Sequence, residues 1–221
     1  YLKRIRYIYL HMKIENDIKL DFSDVLIRPN RTILSSRSQV TLEREFKFPH
    51  SSCKWTGIPI MAANMDTTGT FGVMDVLHKH KLLTCLTKFY SKDDYEKHYE
   101  TCKSQDYYGI ISTGIGEKDY EKLCSIIDWR KSLNKPDLVN WVCIDVANGY
   151  MQNVVEFCQR IRQREPDVIL IAGNVATREM TEELIINGKV DIVKVGIGPG
   201  SACTTRLKTG VGMPQLSLSL I

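Results

Sequence analysis

Residues 58–67 read Ile-Pro-Ile-Met-Ala-Ala-Asn-Met-Asp-Thr (IPIMAANMDT), a run of six apolar residues that ends abruptly in polar ones. A run this short and this apolar has the length of a buried strand. The polar residues after it separate two common parallel α/β architectures. An open nucleotide-binding sheet carries a Gly-rich turn after its first strand. Here Ala63-Asn64-Met65-Asp66-Thr67 contains no Gly. Five more runs succeed it: 82–87 (LLTCLT), 108–113 (YGIIST), 141–146 (WVCIDV), 168–173 (VILIAG) and 190–195 (VDIVKV). They are apolar nearly throughout and do not alternate, as expected of strands covered on both faces. Helix-like patterns fill the gaps at Phe71–Lys79, Lys118–Ser132, Met151–Glu165 and Arg178–Asn187. Thr177 before Arg178-Glu179-Met180 reads as an N-cap and first turn. Strand–helix units at this spacing imply right-handed crossovers and a parallel sheet.

Polar residues recur directly after these strands. Asn64 and Asp66, Lys88, Asp145 and Asn148, Asn174, and the stretch from Gly196 to Arg206 all stand there. A site assembled from the C-terminal ends of many parallel strands is the signature of a (β/α)8 TIM barrel. The expectation is therefore an α/β chain of the barrel type, with an open doubly wound sheet as the competing architecture. Six of the eight strand–helix units are visible, and the typical barrel needs roughly 250 residues. Residues 12–221 are read as an incomplete TIM-barrel catalytic domain that stops inside its sixth helix. Residues 1–11 are read as a leader or a non-native extension. Residues 14–57 form a preface in which Asp24–Pro29 is extended, because Pro29 disfavours helix at Arg28.

Charge and cysteine usage narrow the function classes. The net charge is +4, but Lys3, Arg4 and Arg6 in the first 11 residues supply three of those charges. The remainder is nearly balanced, so no nucleic-acid-binding face is expected. No apolar run of about 18 residues occurs, which argues against a membrane-spanning helix. The seven cysteines are odd in number and irregular in spacing, as suits a reducing, cytoplasmic setting. No C-x-x-C pair occurs, which points away from a zinc or iron–sulfur centre. Cys85 and Cys143 lie inside apolar runs and read as buried thiols.

The most informative loop is Val195-Gly196-Ile197-Gly198-Pro199-Gly200-Ser201-Ala202-Cys203-Thr204-Thr205-Arg206. Three glycines in five residues permit unusual backbone angles and close approach to a ligand. Such a loop can offer amides to an anion or carbonyls to a cation. A thiol near Lys194 and Arg206 is placed to have a lowered pKa and act as a nucleophile. Spacing alone leaves a phosphate-gripping Gly loop with an incidental cysteine equally open.

This loop resembles the catalytic loop shared by IMP dehydrogenases and GMP reductases. The resemblance extends through DFSDVLIRP (21–29), GIPIMAANMDTTGTF (57–71), CIDVANGY (143–150), IAGNVAT (171–177) and KVGIGPGSACTTRLKTGVGMPQLS (194–217), in family order. Only residues 88–107 separate the second strand from the third, which leaves no room for the regulatory insert usual in the dehydrogenases. DVANGY, ANMDT and Thr209 in RLKTGVG are similar to the reductase versions. The sequence departs from the family at Leu86-Thr87-Lys88-Phe89, where a histidine commonly precedes the lysine, and at Met213, which replaces a common aromatic.

The resemblance implies NADPH-dependent conversion of GMP to IMP and ammonia, in purine salvage, through a covalent thioimidate on Cys203. It implies proton transfer by Thr205, and potassium held by backbone carbonyls at Gly198, Gly200, Cys203 and Arg206. It implies NADP contacts at Ser36, Arg37, Lys88, Asp145, Val146, Ala147, Ile197 and Gly198. Met65 and Asn174 would line the purine pocket, and Ser201 would contact the nucleotide phosphate. A homotetramer is the implied assembly of the full-length family member. IMP dehydrogenase is the alternative enzyme, and an inactive fragment or isoform the alternative outside catalysis.

Overall fold

The computed structural model describes residues 16–102, 109–134 and 141–220. The reading of residues 1–11 as an extension lies outside them. Among the described residues, eight strands form two sheets. An antiparallel pair, β1 (Arg44–Lys47) and β2 (Lys54–Gly57), precedes the main sheet. That sheet has six parallel strands: β3 (Met61–Ala62), β4 (Leu83–Cys85), β5 (Gly109–Thr113), β6 (Trp141–Asp145), β7 (Ile169–Val175) and β8 (Ile192–Val195). Their spatial order is their chain order, with no reversal. A doubly wound sheet reverses direction at a switch point; a barrel wall does not. The fold is thus α/β, with six strands of a partial TIM barrel.

Helices connect the strands: α1 (Phe71–His78), α2 (Lys92–Cys102), α3 (Glu117–Ser132), α4 (Gln152–Arg164) and α5 (Arg178–Ile186). Two short helices come after β8, α6 (Thr205–Thr209) and α7 (Gln215–Leu218). The Thr177 hydroxyl accepts from the Met180 amide at 3.4 Å, the cap that the sequence predicts. Thr70 caps α1 in the same way, accepting from Val73 at 3.2 Å.

The apolar runs conceal a period of two. Ile111, Val142, Ile144, Leu170 and Ala172 join the core shared with the helices, alongside Val154, Val155, Cys158 and Ile161 of α4. Leu83, Cys85, Ile110, Trp141, Cys143, Ile169 and Ile171 form a second cluster on the opposite, concave face. The β1–β2 hairpin closes that cluster. Phe48 and Trp55 meet Trp141 edge-on, with ring centroids 5.2 and 6.0 Å away. Aromatic pairs in this geometry add about 0.5–1.5 kcal/mol beyond the area they bury.

Asp191, just before β8, ties the outer layers together. Its side chain is fully buried and pairs with Arg162 Nη2 of α4 at 2.7 Å. It also accepts from the Leu170 and His50 amides, each at 2.9 Å. Removing the carboxylate strands a largely buried guanidinium and two amides. Asp191→Ala is therefore expected to cost about 3–5 kcal/mol, read as a lowered urea midpoint followed by circular dichroism.

Candidate functional site

The ends of the parallel strands open onto one cleft of about 520 Å³. It is lined by Lys88 after β4, Gly114 after β5, and Asp145, Val146 and Ala147 at the end of β6. Asn174 of β7, Gly196, Ile197 and Gly198 after β8, and Cys203 and Thr205 complete it. The volume falls within the usual range for small-molecule sites.

Strand register builds the cleft floor. Asp145 is the partner of Gly173, and Gly173 is the partner of Lys194. Neighbouring strands lie about 4.8 Å apart, so Asp145 and Lys194 face the same side across one intervening residue. Lys194 Nζ donates to Asp145 Oδ1 and, at 3.2 Å, to Asn64 Oδ1 of the loop after β3. Gly173 leaves the necessary space: a Cβ there would lie 2.5 Å from Lys194 Cβ and from its carbonyl oxygen. Burial pushes the Asp145 carboxyl up, but the ammonium of Lys194, its hydrogen bond and the charge of Lys88 outweigh that. The carboxyl ends below its ordinary value and is ionised at neutral pH.

Asn174 Nδ2 donates to the Gly196 carbonyl at 2.8 Å, fixing the start of the Gly-rich loop. Gly198 adopts φ +80°, a left-handed angle that favours glycine. Arg206 Nη1 donates to the carbonyls of both Gly198 and, at 2.8 Å, Gly200. The Cys203 amide donates to the Gly200 carbonyl at 3.0 Å. Two of the four positions expected to hold potassium thus converge their carbonyl oxygens on one cationic group, so this donor set fits a monovalent cation.

The Cys203 thiol is only partly covered. The Thr205 hydroxyl and amide hold its pKa below the ordinary value, and the amide and charge of Arg206 contribute. The sequence expectation paired Lys194 with Arg206 in this role. The structure corrects it: the Lys194 ammonium is turned to Asp145 and Asn64, and Thr205 takes the larger part.

The structure places Lys88, Asp145, Val146, Ala147, Ile197, Gly198, Asn174, Cys203 and Thr205 around the cleft. It does not bring Ser36 and Arg37 there. They lie on an exposed 3-10 turn whose hydrogen bonds stay within residues 35–40. Met65 is 62% exposed on the loop after β3, and Ser201 is exposed at the loop tip. Neither lines the cleft. Gly114, which the sequence reading passed over, lines it as well, as does Gly196 of the Gly-rich loop. Gly114 directly succeeds a strand, a signal sufficient to find it. Tyr150 is a further positioning group: its hydroxyl accepts from the Ala176 amide at 2.9 Å and donates to Thr177 Oγ1 at 3.2 Å. It thereby ties the loop after β6 to the loop after β7.

A six-strand barrel wall with a cysteine-bearing Gly loop over its strand ends defines an α/β enzyme-type domain. The sequence profile described as "IMP dehydrogenase / GMP reductase domain" matches residues 19–219. The chain belongs to the IMP dehydrogenase/GMP reductase family. A GMP reductase of Shigella boydii is 51% identical over 207 residues, covering 93% of this chain and 58% of the relative. One from Escherichia coli is 50% identical with the same coverage. The crystal structure of inosine 5′-monophosphate dehydrogenase from Legionella pneumophila superposes with a TM-score of 0.75 and 26% identity. That match covers 91% of this chain and 58% of the other. The chain therefore spans a little under three-fifths of the length of these relatives. Among the described residues, no helix is long and apolar enough to cross a membrane.

The geometry has three measurable outcomes. Iodoacetamide is expected to label Cys203 faster than Cys102 at neutral pH, because burial and the Asp75 charge raise the Cys102 thiol. A lowered pKa preserves thiolate as pH falls. Thr205→Val should move the labelling inflection of Cys203 upward, towards the value of about 8.5 for a free cysteine, as read by peptide mass spectrometry. Gly173→Ala is expected to cost about 1–3 kcal/mol through overpacking against Lys194, measured as a fall in thermal midpoint.

Proposed function

We propose that this chain carries the nucleophile and cofactor cleft of a GMP reductase, converting GMP to IMP and ammonia with oxidation of NADPH. The observation that carries this reading is the Cys203 thiol, held towards thiolate by Thr205 in a cleft that the ionised Asp145 also lines. Identity of about half to proteins named GMP reductase favours the reductase over the dehydrogenase.

The guanine C2 is a poor electrophile and ammonia a poor leaving group. In this reading the Cys203 thiolate attacks C2, the C2–amino bond breaks, and ammonia departs after protonation. Dividing one hard step into two is the logic of covalent catalysis. Thr205, whose hydroxyl and amide lower the thiol pKa and which lines the same cleft, would hold or pass the proton. NADPH, when bound, supplies a hydride to C2. The C–S bond then breaks, returning the thiolate and releasing IMP.

Asp145 is a fixed acceptor for ribose hydroxyls, and Lys88 a cation for phosphate. Gly198 and Gly200 would hold a monovalent cation through their carbonyls, bracing the loop that carries Cys203. Asn174, anchored to Gly196, would border the purine; Met65 and Ser201 belong to the same proposal as substrate contacts, and Ser36 and Arg37 as cofactor contacts. The assembly proposed for the full-length protein is a homotetramer, and its setting the cytoplasm.

The test compares substrate pairs on the full-length protein. GMP with NADPH should give turnover, and IMP with NAD⁺ little or none; the reverse preference would assign it to the dehydrogenases. Cys203→Ala should lower turnover by at least about 10³-fold, as loss of a covalent nucleophile does, while GMP binding by calorimetry persists. Turnover retained in that variant would remove Cys203 from the mechanism.

A further inference from the structure

A second chemical cluster lies on the helical side of the sheet, apart from the cleft. Asp75 projects from α1, and His98 and Cys102 from α2. Among the described residues, it is the group of His, Cys, Asp or Glu side chains whose ligand atoms converge, all within 4.8 Å of one another. None of the three lines the cleft. His98 and Cys102 are four residues apart, so one helix face presents both.

The distances carry the reading. His98 Nε2 lies 3.0 Å from Asp75 Oδ2 and 3.2 Å from Cys102 Sγ, and Cys102 Sγ lies 3.6 Å from Asp75 Oδ2. The same ring nitrogen faces both partners. A catalytic relay engages the two ring nitrogens separately, so this is not a Cys-His-Asp nucleophile. Three ligand atoms crowding one point instead form one face of a coordination polyhedron. With tetrahedral zinc bond lengths, the N···O edge is about 3.4 Å and the two edges to sulfur about 3.6 Å. The observed edges match these within a few tenths of an ångström.

The ring plane of His98 is set by Phe71, which stacks on it at 4.3 Å and 9°. A ligand already oriented loses less freedom on binding. Thiolate, imidazole and carboxylate together suit a borderline-soft cation, whereas magnesium and calcium take oxygen donors alone. One thiolate and one carboxylate also balance a charge of +2.

We propose that Asp75, His98 and Cys102 form a three-ligand site for a divalent cation of the zinc class, with the fourth position open to solvent or an external ligand. The ion bridges α1 to α2 on the outside of the barrel wall. The sequence pattern conceals it, because the ligands are separated by 23 and 4 residues and include no C-x-x-C pair. The site does not depend on the activity proposed above.

The test uses the whole chain, reduced and metal-free. One equivalent of Zn²⁺ should slow iodoacetamide labelling of Cys102 at least tenfold and leave Cys203 unchanged, by peptide mass spectrometry. One equivalent of Co²⁺ should give the visible bands of a tetrahedral site and a thiolate charge-transfer band. Both should vanish in Cys102→Ser and weaken in His98→Gln, with far-ultraviolet circular dichroism confirming intact helices. Unchanged Cys102 labelling, protection at Cys203 instead, or a charge-transfer band that survives in Cys102→Ser would each overturn the proposal. The protection experiment needs no variant, so a misfolded mutant does not shelter the idea.

Discussion

Lys194 reaches across Gly173 to Asp145, and the cleft is organised around that reach. The pair joins β8 to β6 over the strand between them, a span of about 10 Å at ordinary strand spacing. A side chain on the middle strand would occupy the path; glycine leaves it open. The contribution of the pair is not primarily stability. Desolvating two charges costs free energy that their attraction offsets only in part. What the arrangement secures is a carboxylate that stays ionised at a half-buried strand end, with Asn64 of the first loop drawn to the same ammonium. The loops after β3, β6 and β8 are thereby fixed relative to one another by one lysine.

Much of this wall is legible in the sequence, and for a specific reason. Strands such as Trp141–Asp145 and Ile169–Val175 are covered on both faces, so their apolar runs stand out without alternation. The helix patterns agree with the structure to within one residue at their ends. Less legible are the parts whose stability is tertiary. The β1–β2 hairpin has an exposed, charged first strand, Arg44–Lys47, and is held in place through Trp55 and the adjoining Phe48 against Trp141. Helix α2 is mostly polar and buries Tyr95 alone, so its periodic signal is faint. The run at 58–63 yields only a two-residue strand, because Pro59 supplies no amide for a ladder.

The site divides along the same line. Residues that directly succeed a strand or end one, such as Lys88, Asp145 and Asn174, lie where a barrel must put them, and their place can be read from spacing. Ser36, Arg37 and Met65 belong to segments whose course no strand dictates, and they lie away from the cleft walls. The Asp75–His98–Cys102 cluster is the extreme case. Its members come from two helices with a strand between them, so only packing brings them together.

The loop after β8 combines two demands that a short peptide would find hard to reconcile. It converges two carbonyls on one point and also holds a thiol below its ordinary pKa. Carbonyl oxygens concentrate negative potential, which would raise the pKa of a neighbouring thiol. Arg206 resolves the conflict, because its guanidinium donates to the oxygens of Gly198 and Gly200 while its charge and amide also act on Cys203. A monovalent cation held by the same carbonyls would place the same sign of charge in the same place. With either occupant the carbonyls face a positive charge, and the hydroxyl and amide of Thr205 lower the thiol pKa locally. The glycines are what allow both: Gly198 turns through φ +80°, and added bulk there would meet Arg206 Cβ at 3.2 Å.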